Sequence, residues 1–141
     1  MQFTRKDGIV FHFGAPTDEV YSMDDPETRE QFHWNVTEGR RLAEARGDLH
    51  AISLRELGVT IEMLRRQYYG LDEFYAMTTN LAKPLLFVPY REKVQLADGW
   101  HRVFRALRAS IDILPAYILT PEETEQILVC YLPPGKGFDL K

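Results

Sequence analysis

The first residues of the chain alternate between the two faces of an extended strand. Ile9, Phe11 and Phe13 are apolar at every second position, and Asp7-Gly8 just before them is a typical two-residue turn. Alternation next to such a turn is the pattern of a β-hairpin. We therefore predict a hairpin over residues 2–13, at the edge of a sheet.

Helix signals dominate the next part of the chain. Asp25 followed by Pro26 is a typical cap with a proline in the first helical turn, so we predict a helix from residue 25 through Trp34. A second helix is predicted from Thr37 to Gly47, because glycine commonly ends helices. Both helices are amphipathic and are expected to lie at the periphery.

Short elements are predicted from residue 49 onward. Leu49 to Ile52 is predicted as a strand, and Ser53 with Glu56 forms the pattern of a helix capping box. Two further helices are predicted over residues 60–69 and 72–82.

Strands and helices alternate in the second half of the chain. The apolar run Leu85-Leu86-Phe87-Val88 predicts a buried strand, with a neighbouring strand over residues 94–97. A helix over residues 100–109 and a strand over residues 116–119 follow, and Thr120-Pro121 starts a last helix. The predicted fold class is α+β, with a small mixed β-sheet flanked by helices.

Length and composition fit one globular domain. The chain has 141 residues, of which 45% are hydrophobic and 12% aromatic. This is enough apolar material for one core. The sequence contains no internal repeat and no low-complexity linker, so we predict a single domain over residues 1–141.

Charge and cysteine content narrow the classes of function. The formal net charge of -4 argues against a protein that mainly coats a polyanion, because nucleic-acid-binding proteins usually carry a basic surface. The single cysteine, Cys130, excludes an internal disulfide. A charged-then-apolar leader and a long apolar run are both missing, so we expect a cytoplasmic protein that does not enter a membrane.

The junction between the strand at 94–97 and the helix at 100–109 carries the most chemistry. Asp98-Gly99 joins the two elements, and His101 and Arg102 lie in the first turn of the helix. The first N–H groups of a helix lack intrahelical acceptors, and the macrodipole adds about half a positive charge there. Because glycine also lets an anion approach the backbone, the junction is predicted to bind a phosphate group.

This segment resembles the signature of the ParB/sulfiredoxin superfamily. The superfamily carries a Gly-x-(His/Arg)-Arg turn between a strand and an Ala-rich helix, followed by a strand with Pro-Ala. The matching positions are Gly99, His101, Arg102, Ala106 and Pro115. The match covers residues 84–119, and its Asp-Gly-x-His-Arg form is most similar to the sulfiredoxin and free-serine-kinase members. The resemblance implies a nucleotide-binding fold that stands alone, without a downstream helix-turn-helix module.

Two residues depart from the superfamily pattern. Trp100 stands where sulfiredoxins have their catalytic cysteine, so the nucleophile of sulfinic-acid reduction is missing and sulfiredoxin activity is not expected. Ser110 stands where the superfamily has a glycine that ends the helix, and serine adopts a left-handed conformation less readily than glycine. The phosphate-binding turn is unaffected by either change.

Each candidate residue also has an ordinary structural explanation. Asp98 is a candidate catalytic residue that positions a metal or an attacking hydroxyl, or else a helix cap. His101 and Arg102 are candidate phosphate ligands, with His101 also a catalytic candidate. Alternatively, they bind a neighbouring carbonyl and a surface carboxylate. Trp100 either stacks on a base or packs in the core. Arg105 either extends the phosphate site or is solvated.

The resemblance also suggests where a catalytic base could lie. Superfamily kinases use a glutamate from an upstream helix, a role that Glu73 or Glu62 could fill here. Glu73 lies at a predicted helix start, where a carboxylate is expected for dipole reasons alone. The histidines are far apart and lack the spacing of zinc ligands, so we predict no metal site formed by protein ligands alone.

Three functions are compatible with this sequence. The first is a nucleotide-binding ParB/sulfiredoxin-like protein that takes ATP, ADP or CTP with Mg²⁺, acting as a phosphotransferase or NTPase if it is catalytic. The second is a DNA-directed nuclease or a plasmid or phage maintenance protein, which the acidic charge disfavours. The third is a non-catalytic interaction module that keeps the phosphate turn only as structure. The sequence leaves the oligomeric state open.

Overall fold

The computed structural model describes residues 3–6, 9–12, 17–68 and 70–134 of the chain. These residues form an α+β fold, as predicted, but their strands make two sheets instead of the one small mixed sheet that was expected, together with six helices. The chain divides into two compact units, residues 1–42 with 120–141 and residues 43–119. The single domain over residues 1–141 stays a prediction.

The described elements follow one another along the chain. In order they are β1 (Phe3–Lys6), β2 (Ile9–His12), β3 (Val20–Asp24), β4 (Gln31–Asn35), α1 (Val36–Arg46), β5 (Leu49–Ser53), α2 (Leu54–Leu57), α3 (Ile61–Gln67), α4 (Glu73–Ala76), β6 (Leu85–Tyr90), β7 (Lys93–Asp98), α5 (Trp100–Arg108), β8 (Ile113–Ile118), α6 (Pro121–Gln126) and β9 (Leu128–Leu132).

The first unit contains a five-stranded antiparallel sheet in the order β1-β2-β9-β4-β3. The strands β1 and β2 form the predicted hairpin at the sheet edge, with Lys6 paired to Ile9. The turn residues 7–8 and residue 13 lie outside the described residues. The strands of the predicted hairpin are therefore confirmed.

The helix predicted from Asp25 through Trp34 is wrong. The chain instead forms the antiparallel strands β3 and β4, joined by a short turn. Asp25 caps this turn, because its buried carboxylate accepts hydrogen bonds from the N–H groups of Glu27 at 2.8 Å and Thr28 at 3.2 Å. Tyr21 and Trp34 pair across the strands and stack with their ring centroids 5.9 Å apart. Such cross-strand aromatic pairs stabilise a sheet.

The second unit contains a four-stranded sheet in the order β5-β8-β6-β7. The strands β6 and β8 run parallel, and the other two pairs are antiparallel. Strands predicted over residues 49–52, 85–88 and 94–97 are all present. The core of this unit brings together strand and helix residues, namely Leu54, Leu64, Ala76, Leu85, Phe87, Leu96, Val103, Phe104, Ala106, Leu114 and Ala116. The helix α5 is therefore anchored to the sheet through its apolar face.

Side-chain caps and a glycine set several helix boundaries. The hydroxyl of Thr60 accepts a hydrogen bond from the N–H of Met63 at 3.2 Å at the start of α3. Ser53 accepts from the N–H of Glu56 at 3.2 Å at the start of α2. Gly47, with a φ of +75°, follows the last residue of α1, so the helix predicted to end there is confirmed.

The helix predicted over residues 72–82 is wrong beyond its first turn. The hydroxyls of Thr78 and Thr79 each donate, at 2.7 Å, to the carbonyl three residues earlier. The side chain of Asn80 accepts from the N–H of Ala82 at 3.0 Å. Short polar side chains that bond to the local backbone compete with helical hydrogen bonds, so the chain leaves α4 through a series of turns.

The end of α5 is a Schellman motif. The N–H of Ile111 donates to the carbonyl of Ala106 at 2.8 Å, and the N–H of Ser110 donates to that of Leu107 at 3.2 Å. Ser110 adopts a left-handed φ of 57°, at the position where the resemblance to the superfamily predicts glycine. Ser110 therefore adopts the conformation that glycine usually has at this position, and its Cβ atom makes this conformation sterically unfavourable.

The substitution Ser110→Gly is expected to stabilise the protein by about 1 kcal/mol, because glycine adopts the left-handed conformation without the Cβ clash. Urea unfolding of the two proteins measures the difference. Ala109→Gly is the matched control, since Ala109 has a φ of -92° and gains nothing from glycine. Equal stability of the Ser110→Gly variant and the original chain would contradict this prediction.

Candidate functional site

The strand β7 and the helix α5 meet at Gly99, whose backbone conformation only glycine adopts easily. Its φ is +113°. A Cβ atom at this position would lie 2.4 Å from Leu85 Cδ2 and 2.9 Å from Arg102 Nη2. Glycine is therefore required here both by the backbone angle and by the space that Leu85 and Arg102 occupy.

The start of α5 differs from that of the other described helices. Its N-cap is Gly99, which has no side chain to bond the N–H groups of the first turn. The other helices begin at side chains that accept such a bond, namely Asn35, Ser53, Thr60, Asp72 and Thr120. The N-cap of α5 is Gly99, and Asp98, for which a cap was the alternative explanation, is the last residue of β7, one position earlier.

Arg102 is buried at the junction, with 8% of its surface exposed. Its Nη2 donates to the carbonyl of Pro84 at 3.2 Å and lies 3.8 Å from Asp98 Oδ2. The same nitrogen would lie 2.9 Å from a Cβ atom at position 99, so it lies close to Gly99. The positive charge of Arg102 is thus fixed at the bend, in a position that the protein interior shields from solvent.

His101 is held by residues around the start of α4. Its Nε2 accepts a hydrogen bond from the N–H of Asp72 at 3.0 Å. The ring makes edge contacts with Tyr75, centroids 4.9 Å apart, and with Tyr68, centroids 5.4 Å apart. A neutral imidazole that accepts through Nε2 carries its proton on Nδ1. His101 therefore offers Nδ1–H as its donor.

Trp100 is half-buried and packs against the core of the second unit. Tyr68 stacks on its indole, with ring centroids 5.3 Å apart and an interplanar angle of 25°. One side of Trp100 is therefore used for packing within the protein.

Arg105 and Glu73 each contact another part of the second unit. Arg105 donates to the carbonyl of Thr79, which ties α5 to the segment after α4. Glu73 accepts two hydrogen bonds from Arg65, at 2.7 and 3.0 Å. Hydrogen bonding and the charge of Arg65 hold the pKa of Glu73 below its usual value. A lowered pKa makes Glu73 a weaker general base than an ordinary glutamate.

Most of the predicted site residues lie at the junction of β7 and α5, and Glu73 lies on α4. Asp98, Gly99 and Arg102 lie together at the bend, and Trp100 and His101 form the first turn beside it. Glu73 lies on α4, whose cap residue contacts His101. No sequence signal indicated the supporting partners, because these residues reach the junction through tertiary contacts. They are Tyr68, Asp72, Tyr75 and the carbonyl of Pro84.

Among the described residues there is no group of three or more His, Cys, Asp or Glu side chains placed to hold a metal ion. Mg²⁺ bound with a nucleotide needs fewer protein ligands, because phosphate oxygens and water fill most of its coordination sites. Asp98, with 28% of its side chain exposed, fits the role of one such carboxylate ligand.

Comparison of the chain with protein-family models, with curated proteins and with solved structures finds no match. In the part of the chain that the structure describes, none of the helices has both the length and the apolar character needed to cross a bilayer.

Proposed function

We propose that this chain is a ParB/sulfiredoxin-like protein that binds the phosphates of a nucleotide at the start of α5. The ligands would be the backbone N–H groups of the first helical turn together with the side chains of His101 and Arg102. The nucleotide is ATP, ADP or CTP, taken with Mg²⁺.

The observation that carries this proposal is the start of α5 at Gly99 without a side-chain cap. A helix start whose N-cap residue has no side chain favours an anion, because the first-turn N–H groups and the helix macrodipole both attract negative charge. Each of the other described helices already directs a side-chain oxygen at the same groups. Among the described helices, α5 is therefore the best candidate to donate hydrogen bonds from its first turn to an anionic ligand.

The charge of Arg102 supports the same interpretation. A guanidinium near the helix start adds a permanent positive charge, and its burial weakens screening by water and salt. Its contact with the Pro84 carbonyl fixes its position before a ligand arrives. A preorganised donor of this kind binds an anion with little loss of side-chain entropy.

The same group of residues suits phosphoryl transfer or nucleotide hydrolysis. Arg102 and the N–H groups of α5 would stabilise the charge that develops on the transferred phosphoryl group. Asp98 would hold the magnesium ion, which neutralises phosphate charge. Arg65 lowers the pKa of Glu73, which makes this carboxylate a weak base. We therefore assign proton transfer to His101 or Asp98.

Isothermal titration with ATP, ADP and CTP in the presence of Mg²⁺ tests the proposal. The original chain is expected to bind at least one of them, and Arg102→Ala is expected to weaken binding roughly ten- to hundredfold, since a charge-assisted hydrogen bond contributes about 1.5 to 3 kcal/mol. Arg102→Lys should retain part of the affinity, because it keeps the charge and loses the planar fork.

Arg108→Ala is the matched control, because Arg108 is exposed at the far end of the same helix. It should bind as the original chain does. Thermal unfolding of each variant separates a lost ligand contact from a lost fold. The absence of measurable binding to all three nucleotides by the folded original chain would overturn the proposed function.

A further inference from the structure

A cavity of about 340 Å³ lies where the chain passes from α5 to β8. The residues that form its walls all belong to the second unit, and they are Arg55, Val59, Leu107, Ser110, Ile111 and Asp112. Small-molecule sites usually have volumes of about 300 to 1,000 Å³, so this cavity has room for a small ligand. It lies at the opposite end of α5 from residues 98–102 and shares no wall residue with the proposed phosphate site.

The apolar walls of the cavity are continuous with the core of the second unit. Val59 and Leu107 are half-buried and pack against that core. Ile111, which lines the same cavity, is 40% exposed. An apolar group that enters the cavity therefore leaves water and also covers a large side chain that is otherwise exposed to it. These walls suit the hydrocarbon part of a small molecule.

The negative charge of the cavity is already satisfied within the protein. Asp112 Oδ2 accepts a hydrogen bond from the hydroxyl of Ser53 at 2.7 Å, and Oδ1 accepts one from the backbone N–H of Arg55 at 2.8 Å. These hydrogen bonds hold the pKa of Asp112 below its usual value, so its carboxylate is ionised at neutral pH. Because both of its oxygens have donors, Asp112 is not the group that most needs a ligand.

The positive charge of the cavity is available to a ligand. The side chain of Arg55 is 86% exposed, and its Nη2 lies 3.8 Å from Asp112 Oδ2, which is too long for a hydrogen bond. A guanidinium has five N–H donors, and those of Arg55 have no acceptor among the described residues. A carboxylate matches this planar group because it can accept two parallel hydrogen bonds.

We propose that this cavity binds a small monocarboxylic acid. The carboxylate pairs with the guanidinium of Arg55, and the hydrocarbon chain packs against Val59, Leu107 and Ile111. A second charge on the ligand would lie against these apolar walls, so a monocarboxylate is preferred to a dicarboxylate of the same length. The inference is independent of the proposed nucleotide site, because it uses different residues at the other end of α5.

Titration of butyrate, hexanoate and octanoate into the ¹⁵N-labelled protein tests the inference. The backbone amide signals of Ser110, Ile111 and Asp112 are expected to shift. Affinity should rise about three- to fourfold with each added methylene group until the cavity is filled. Octanol, which lacks the charge, and octanedioate, which has a second charge, should both bind more weakly than octanoate.

Arg55→Ala is expected to lower the affinity for octanoate about two- to fivefold, the range for an exposed charge pair, and to leave the affinity for octanol unchanged. Arg41→Ala is the matched control, because Arg41 is also exposed, lies on α1 and is not a wall of the cavity. It should bind octanoate as the original chain does.

Three results would overturn the inference. The first is an octanoate titration that leaves the signals of residues 110–112 unmoved. The second is equal affinity for butyrate and octanoate, which would show that the apolar walls do not contact the ligand. The third is equal octanoate affinity in Arg55→Ala and the original chain, which would show that Arg55 does not bind the carboxylate.

Discussion

Replacing Gly99 with alanine is expected to lower the free energy of unfolding by about 2 to 6 kcal/mol. The first part of the cost is the φ of +113°, which an L-residue adopts only with strain. The second part is the space for the new methyl group, which would lie 2.4 Å from Leu85 Cδ2 and 2.9 Å from Arg102 Nη2. Leu85 is fully buried, so it has little room to move. Urea unfolding of both proteins measures the loss.

Gly47→Ala is the matched control for this substitution. Gly47 also has a left-handed φ, +75°, but no atom lies within 4 Å of its added Cβ. It should therefore show only the backbone cost of about 1 to 2 kcal/mol. A Gly99→Ala variant that is no less stable than Gly47→Ala would show that Leu85 and Arg102 do not fill the space beside the Gly99 Cα atom.

Replacing Phe104 with alanine is expected to destabilise the protein by about 3 to 5 kcal/mol. Phe104 is 1% exposed and belongs to the core that joins α5 to the sheet of the second unit. Arg65 also lies over its ring, 5.8 Å from the centroid. Removing the ring leaves a cavity between the sheet and the helix that carries the candidate site, and it weakens the packing of that helix. Nucleotide binding is expected to fall together with stability.

Phe74→Ala makes the same chemical change at an exposed position, and it provides the comparison. Its stability should stay within about 0.5 kcal/mol of the original chain, because substitutions on the surface usually have small effects. Equal unfolding midpoints for Phe104→Ala and the original chain would contradict the described packing of α5.

Local signals predicted those elements whose ends are fixed by their own residues. The glycine at position 47 and the hydroxyl of Ser53 need no distant partner to act. The apolar run from Leu85 to Val88 is fully buried, as its composition indicates. The α+β class followed from the alternation of these elements.

The errors arose where two local signals competed. Asp25 and Pro26 are typical of a helix start, but the cross-strand pairing of Tyr21 with Trp34 selects a hairpin, with Asp25 capping its turn. The polar residues at positions 78–80 bond to their own backbone and end α4 early. The hairpin depends on the pairing of two strands, which the local Asp25-Pro26 signal does not show.

The sequence predicted which residues form the candidate site, but it did not predict the tertiary contacts of these residues. The order Asp98-Gly99-Trp100-His101-Arg102 located the strand-to-helix junction, and the structure has that junction. The sequence did not indicate that Arg102 is buried against Pro84 or that α4 lies beside His101. These contacts join residues between 18 and 29 positions apart, and they depend on the packing of the whole unit.

The most direct test of the central claim is an NMR titration of the ¹⁵N-labelled protein with ATP and Mg²⁺. If the start of α5 binds the phosphates, the backbone amide signals of Trp100, His101 and Arg102 shift most, and inorganic triphosphate moves the same signals. Saturating ATP that leaves these three amides unmoved, or shifts only signals elsewhere in the chain, would contradict the account.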